Sequence, residues 1–249
     1  MTPTPDKPAA TSGDSHEPGG SQPSGDTRAR VLEAFLALVA ERSFERVGLA
    51  DVASRAGVSL SDLRGQFGST FDMLSAFVRD NDRKVLAALS DEHDDAMASQ
   101  PARDRVFDVM MRRLDILASH KGVLRSLARS ACRNPFFALA LNRLSVRSAQ
   151  WMLAAARIDT SGLKGAARAQ GLAMVHARVL STFVRDEDPG LARTMSALDR
   201  ELSKGERALG LLDSMCTFAT CGGRGERASR ATSDPAPPVD PVDPIIALR

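Results

Sequence analysis

The chain has 249 residues, 43% of them hydrophobic and none of them tyrosine, with 33 Lys plus Arg against 31 Asp plus Glu. That length suits one or two domains, and its uncharged stretches, such as 148–156, fall far short of the roughly 18 apolar residues of a membrane span. The start, Met1-Thr2-Pro3-Thr4-Pro5-Asp6, has neither the basic residues nor the apolar centre of a secretory leader, so the expected location is the cytoplasm.

Residues 1–26 are Pro, Gly, Ser, Thr and Asp with almost no large apolar side chain, so a disordered tail is expected there. From 27 onward apolar residues recur at steps of three and four, and no segment shows the period-two, β-branched pattern of strands. The expected fold class is therefore all-α. A first helix is read from Leu32, Phe35, Leu36 and Val39, with Asp26 and Thr27 as N-cap candidates, ending near Ser43 and Phe44. A short helix follows over about 49–56; Gly57 then supplies a sharp turn, and Ser59 can cap another short helix over about 60–66. Ser69 can cap a longer helix to about 89, after which the acidic cluster Asp91, Glu92, Asp94 and Asp95 breaks or exposes the chain.

Pro101 and Pro135 sit where proline is tolerated, in first helical turns, with Asn134 as an N-cap. Further helices are expected at about 102–118, 121–132, 135–156, 163–184 and 189–213, the last opened by Asp188-Pro189. In that last helix Leu191, Met195, Leu198, Leu202, Gly205, Leu209 and Leu212 alternate steps of four and three, the seam of a left-handed helix packing. Either the monomer fills this seam, or it joins the 163–184 helix and their two copies in a four-helix dimer interface, with Met195, Leu198, Leu202 and Leu209 as contacts. Residues 216–249, with Gly-Gly-Arg-Gly and Pro-rich runs, read as a second disordered tail.

Charge is unevenly spread. Residues 121–184 carry ten bases against the single acid Asp159, whereas 28–84 carry nine against eight. Arg125, Arg129 and Arg133 recur at steps of four and share one helical face. Cys132, Cys216 and Cys221 are too irregular for a disulfide framework or a zinc site, leaving reduced, buried or inert thiols. His120 and His176 are isolated, so no metal site is expected, and no paired carboxylates, activated nucleophile or phosphate loop marks an enzyme. No catalytic residue and no cofactor are assigned.

The stretch Arg30-Val31-Leu32-Glu33-Ala34-Phe35, Ser43-Phe44, Asp51-Val52-Ala53-Ser54-Arg55-Ala56-Gly57-Val58-Ser59, Leu63, Phe67, Ser69 and Met73-Leu74 resembles the N-terminal domain of TetR-family transcriptional regulators. The match in spacing covers about forty-five residues without a gap. The residues fit it: Ala53 is small where helices cross, Gly57 turns the chain, and Val58, Leu63 and Phe67 can pack the second helix of the pair. The resemblance implies a helix-turn-helix DNA-binding domain at 27–75, a helical effector and dimerisation domain at 76–215, and a homodimeric repressor that binds double-stranded DNA and an unknown small-molecule effector.

Carried onto this sequence, the DNA-binding residues would be Arg30, Gly48, Arg55, Ser59, Leu60, Ser61, Asp62, Arg64, Gln66 and Thr70, with Arg28 a further phosphate contact. Several depart from the family's usual pattern. Val47 and Gly48 stand where a hydroxyl is common, Asp62 where a threonine is, Arg64 replaces a tyrosine, Gln66 a histidine or tyrosine, and Thr70 a lysine. Lost hydroxyls and cations weaken the salt-dependent part of affinity. Asp62 is then either a specificity residue accepting from cytosine N4 or a mark of lost DNA binding.

The effector pocket that the resemblance implies would draw on Phe107, Met111, Leu114, Phe137, Trp151 and Met174, for each of which core packing competes. A looser resemblance lies in Val179-Leu180-Ser181-Thr182-Phe183-Val184, Asp186-Glu187-Asp188-Pro189 and Leu198-Asp199-Arg200. This looks like the C-terminal part of the lipid-binding ubiquinone-biosynthesis proteins of TetR-type fold, which bind a prenyl lipid and a membrane rather than DNA. Under that alternative the basic face at 125–133 would meet anionic lipid.

Overall fold

In the computed structural model, residues 23–90 and 99–222 are described, and among them the ordered elements are all helical. They are α1 (Pro23–Glu41), α2 (Leu49–Ala56), α3 (Leu60–Gln66), α4 (Thr70–Ser90), α5 (Ala102–Leu117), α6 (Lys121–Arg133), α7 (Pro135–Ala155), α8 (Gly162–Phe183) and α9 (Ala192–Gly222). Single 3-10 turns at Phe44–Arg46 and Ala118–His120 link α1 to α2 and α5 to α6. No helix among the described residues is long and apolar enough to cross a membrane.

Two helices differ in their bounds from the sequence reading. Helix α1 starts at Pro23, inside the expected tail, because proline is tolerated in a first turn and Asp26 places an acid beside the positive helix end. Helix α9 starts at Ala192, not at Pro189, and runs to Gly222, beyond the expected boundary at 215. Its late start has a local cause: Asp188 accepts hydrogen bonds from the backbone N–H groups of Gly190 (3.2 Å) and Ala192 (3.2 Å). The buried Asp186 carboxylate accepts from Thr194 N–H (2.9 Å) and Oγ1 (2.6 Å). These bonds supply acceptors for donors of α9's first turn that the helix itself leaves unmatched. The expected tail at 1–22, the acidic cluster at 91–95 and residues 223–249 lie outside the described residues.

The chain divides into two compact units. The first joins α1–α4 to residues 113–148. Val31, Phe35, Leu38 and Val39 of α1, Val52 and Leu63 of α2 and α3, and Met73, Leu74, Phe77 and Val85 of α4 are buried together with Val123 and Leu127 of α6. Small residues let α6 approach α1 closely. A Cβ on Gly122 would stand 3.4 Å from Ala40 Cβ, and one and two turns on, Ser126 Oγ donates to Arg42 O (2.9 Å) while Ser130 Oγ accepts from Phe44 N–H (3.3 Å). Phe44 stacks on Phe137 at 4.6 Å and meets Phe35 edge-on at 6.3 Å. Asp82 of α4 is buried but paired: it accepts from Ser148 Oγ (2.7 Å) and from the buried guanidinium of Arg113. The desolvation of two charges is thus met by a close partner and a hydroxyl.

The second unit comprises residues 99–112 and 149–222. Here α8 and α9 pack through Leu172, Val179 and Phe183 on one side and Leu191, Ala197 and Leu198 on the other. Glu201 sits between Lys204 (2.6 Å) and Arg178 (3.2 Å), whose hydrogen bonds hold its carboxyl below the usual range. Arg103 of α5 reaches α9, pairing with Asp199 (2.5 Å) and donating to Ser203 Oγ (2.7 Å). The entry to α8 is tight: a Cβ on Gly165 would stand 2.0 Å from the Thr160 carbonyl carbon, so only glycine fits.

Candidate nucleic-acid interface

Helices α2 and α3 are short and polar on one side, so their placement rests on a few caps and buried anchors. At the start of α2, Gly48 N–H donates to Asp51 Oδ2 (3.3 Å), and Arg42 pairs with the same oxygen at 3.1 Å. Val52 and Ala53 face the core. Gly57 then takes φ +64°, ψ 40°, a left-handed conformation natural to glycine, and Val58 N–H closes back on Ala53 O at 3.1 Å.

Two residues later Ser59 caps α3. Its Oγ accepts from Asp62 N–H (3.0 Å), while Asp62 Oδ2 accepts from Ser59 Oγ (2.7 Å) and N–H (3.4 Å), a reciprocal capping box. Leu63 and Phe67 anchor the helix in the core at about 2% exposure each. The far end is tied down as well: the Arg28 guanidinium lies 4.5 Å above the Phe67 ring and donates to Gln66 O at 3.3 Å. Arg64 donates to Gly68 O (3.1 Å), and α4 opens with its own cap, Asp72 N–H on Ser69 Oγ (3.1 Å) and Gly68 N–H on Asp72 Oδ2 (3.1 Å).

What remains outward on α3 and its cap is Ser59, Leu60 (56% exposed), Ser61, Asp62 and Arg64, gathered on one exposed surface. Gln66 and Thr70 are half-buried, and Gly48 is exposed at the head of α2. The arginines nearby are engaged with acids: Arg30 with Asp26 (3.5 Å) and Arg55 with Glu41 (2.7 Å). The Arg55 hydrogen bond holds the Glu41 carboxyl below its ordinary range. An exposed ion pair of this kind is weak, so both cations can exchange a carboxylate for a phosphate at small cost.

At the C-terminal end of α1 lies a cleft of about 270 Å³, between that end, the following 3-10 turn and α6, lined by Glu41, Arg42, Ser43, Arg46, Arg129 and Arg133. The sequence reading placed Arg129 and Arg133 on a helical face and did not connect them with Arg42 and Arg46, which are some eighty residues away in the chain and meet them only through the packing of α6 on α1.

The six effector-pocket residues are not gathered into that cleft. Leu114 and Phe137 fill the core of the first unit, Phe137 against Phe44, whereas Phe107 and Met111 of the second are half-buried and Trp151 (56%) and Met174 (47%) are exposed. Of the expected dimer contacts, Leu198 is fully buried by its own chain, which removes it from an interface between copies; Met195 is 38% exposed, Leu202 is half-buried, and the Leu209 side chain lies outside the described residues. Cys132 is exposed and carries a free thiol.

The helix, left-handed glycine turn and capped second helix against a supporting α1 define a helix-turn-helix unit within an all-helical protein. No protein-family model matches the chain, and no curated protein does either. Among solved structures it is similar to a TetR transcriptional regulator from Nitrosomonas europaea ATCC 19718, with a TM-score of 0.55 and 24% identity over 72% of this chain and 97% of that one. It is also similar to a TetR transcriptional regulator from Rhodococcus sp. RHA1, with a TM-score of 0.50 and 20% identity over 73% and 96%. The chain has the fold of these regulators.

Proposed function

We propose that this protein is a TetR-type, sequence-specific DNA-binding transcriptional regulator, not an enzyme, which acts in the cytoplasm as a homodimeric repressor and takes a small-molecule effector in its C-terminal helical domain. The observation that supports this most directly is the construction of α3: both ends are fixed by caps and its inner side is buried, while Leu60, Ser61, Asp62 and Arg64 are left exposed. A rigid helix with a polar outer side fits the major groove of B-form DNA. Ser59, Gly48, Arg30 and Arg55 flank it at positions suited to the phosphate backbone, Gln66 and Thr70 at its far end. The exposed Met174 of α8 and Met195 of α9 offer apolar surface for a second copy.

The deciding experiment is selection of genomic fragments by the full-length protein at near-physiological salt, with sequencing of the bound pool. Non-specific polyanion binding enriches no single sequence, so an enriched palindrome supports the reading and an unenriched pool from folded protein overturns it. On that operator, Arg64→Ala is expected to weaken binding and to lower the magnitude of the salt slope by about one; an unchanged affinity and slope would take Arg64 out of the interface.

A further inference from the structure

The arginine cleft at the end of α1 lies outside the DNA-binding residues named above. Its cations come from two distant segments: Arg42 and Arg46 from the end of α1 and the 3-10 turn, Arg129 and Arg133 from the last turns of α6. Of the acids around it, Glu41 is taken up by Arg55, Asp51 by Arg42, and Glu45 accepts from Ser130 Oγ at 2.9 Å. Among the described residues Arg46, Arg129 and Arg133 form no ion pair within 4 Å, while Arg133 acts at longer range on the Glu45 carboxylate. Counting Arg42, Arg46, Arg55, Arg129 and Arg133 against Glu41, Glu45 and Asp51 leaves an excess of two positive charges around the concavity. The walls are held rigidly, since Ser126 and Ser130 tie α6 to Arg42 O and Phe44 N–H between the arginines.

We propose that this cleft is a binding site for a phosphate-class oxyanion. Guanidinium groups present planar, forked donors that match phosphate oxygens bidentately, and Ser43, also in the lining, carries a hydroxyl that can donate to the same group. A volume of about 270 Å³ admits a compact phosphate or diphosphate, and Arg46, Arg129 and Arg133, beside the Asp51-paired Arg42, suit a multiply charged one. The phosphate is either that of a small soluble ester or a diester of DNA reaching the flank of α2, whose N-cap Gly48 lies two residues after Arg46.

The test is titration of the full-length protein with inorganic pyrophosphate at constant ionic strength, followed by calorimetry. One pyrophosphate per chain is expected for the wild type, and Arg129→Ala with Arg133→Ala should weaken it tenfold or more. Arg46→Ala, on the opposite wall, should weaken it too, with the melting temperature of each variant confirming the fold. The control is Arg143→Ala with Arg147→Ala, which removes the same charge from exposed positions outside the lining. Absence of binding, or equal weakening by the control, overturns the site. The source is read from the salt dependence of DNA binding: a shallower slope in the Arg129/Arg133 variant assigns the site to a DNA phosphate, while an unchanged slope with pyrophosphate binding lost assigns it to a soluble one. Failure of the protein to bind any operator would overturn the regulator reading and leave the pyrophosphate result to stand alone.

Discussion

Asp62 illustrates how one residue's environment changes its meaning. Read in sequence, a carboxylate on a DNA-facing helix is either a base reader or a sign that DNA has been abandoned. In the structure it is an N-terminal helix cap, accepting from both the Ser59 hydroxyl and backbone N–H. A carboxylate so placed also lies at the favourable, positive end of the α3 dipole. His120 is another case. Packed edge-on to Phe77 at 5.0 Å, it is held below its ordinary value of 6.5 by burial and, to a lesser extent, by Lys84. The unfolded chain therefore binds the proton more readily, so this histidine costs nothing at neutral pH and destabilises the fold as pH falls below about 6.5. The expected outcome is a loss of stability as pH falls below about 6.5 that is smaller in His120→Gln; equal losses in the two proteins, measured by urea denaturation, would show that His120 does not carry it.

At the scale of elements, the caps decide whether α3 exists as a presented helix. Seven residues are too few to be stable alone, and the helix depends on Leu63 and Phe67 beneath it and on the Ser59–Asp62 box at its head. Ser59→Ala should cost about 1 kcal/mol of stability and reduce operator affinity beyond what loss of one hydroxyl contact explains, because the helix end frays. Thermal melts and binding isotherms together check this; a full loss of affinity with no change in melting temperature would make Ser59 a DNA contact only. Helix α6 plays the corresponding part on the other side of α1. Its small residues Gly122, Ser126 and Ser130 allow close packing, and the adjoining Arg129 and Arg133 are thereby brought to the wall of the cleft.

For the whole molecule, the question is which surface a second copy covers. The seam of leucines at steps of three and four in α9 is partly consumed within the chain: Leu198 packs against α8 and is inaccessible. Exposed apolar side chains remain on the same two helices at Leu163 (88%), Met174 (47%) and Met195 (38%). Met174→Glu with Met195→Glu is accordingly expected to shift the protein from dimer to monomer in sedimentation without loss of helicity, because charges would be buried at the interface without partners. Leu198→Asp should instead unfold the second unit, and a wild-type protein that sediments as a monomer would end the dimer reading.

Helical class, most helix positions and the turn at Gly57 are legible in the residues alone, because periodicity, glycine and capping residues act within a few positions of one another. Ser59, Ser69 and Asn134 cap where local chemistry placed them. Tertiary structure alone decided what distance along the chain conceals: that Leu198 is filled by its own chain, that Asp82 has Arg113 and Ser148 as partners, and that Arg42 and Arg46 meet Arg129 and Arg133 around one cleft. The periodicity of a helix tells which of its faces is apolar or basic; it does not tell what the face touches, since that is fixed by how helices far apart in sequence pack.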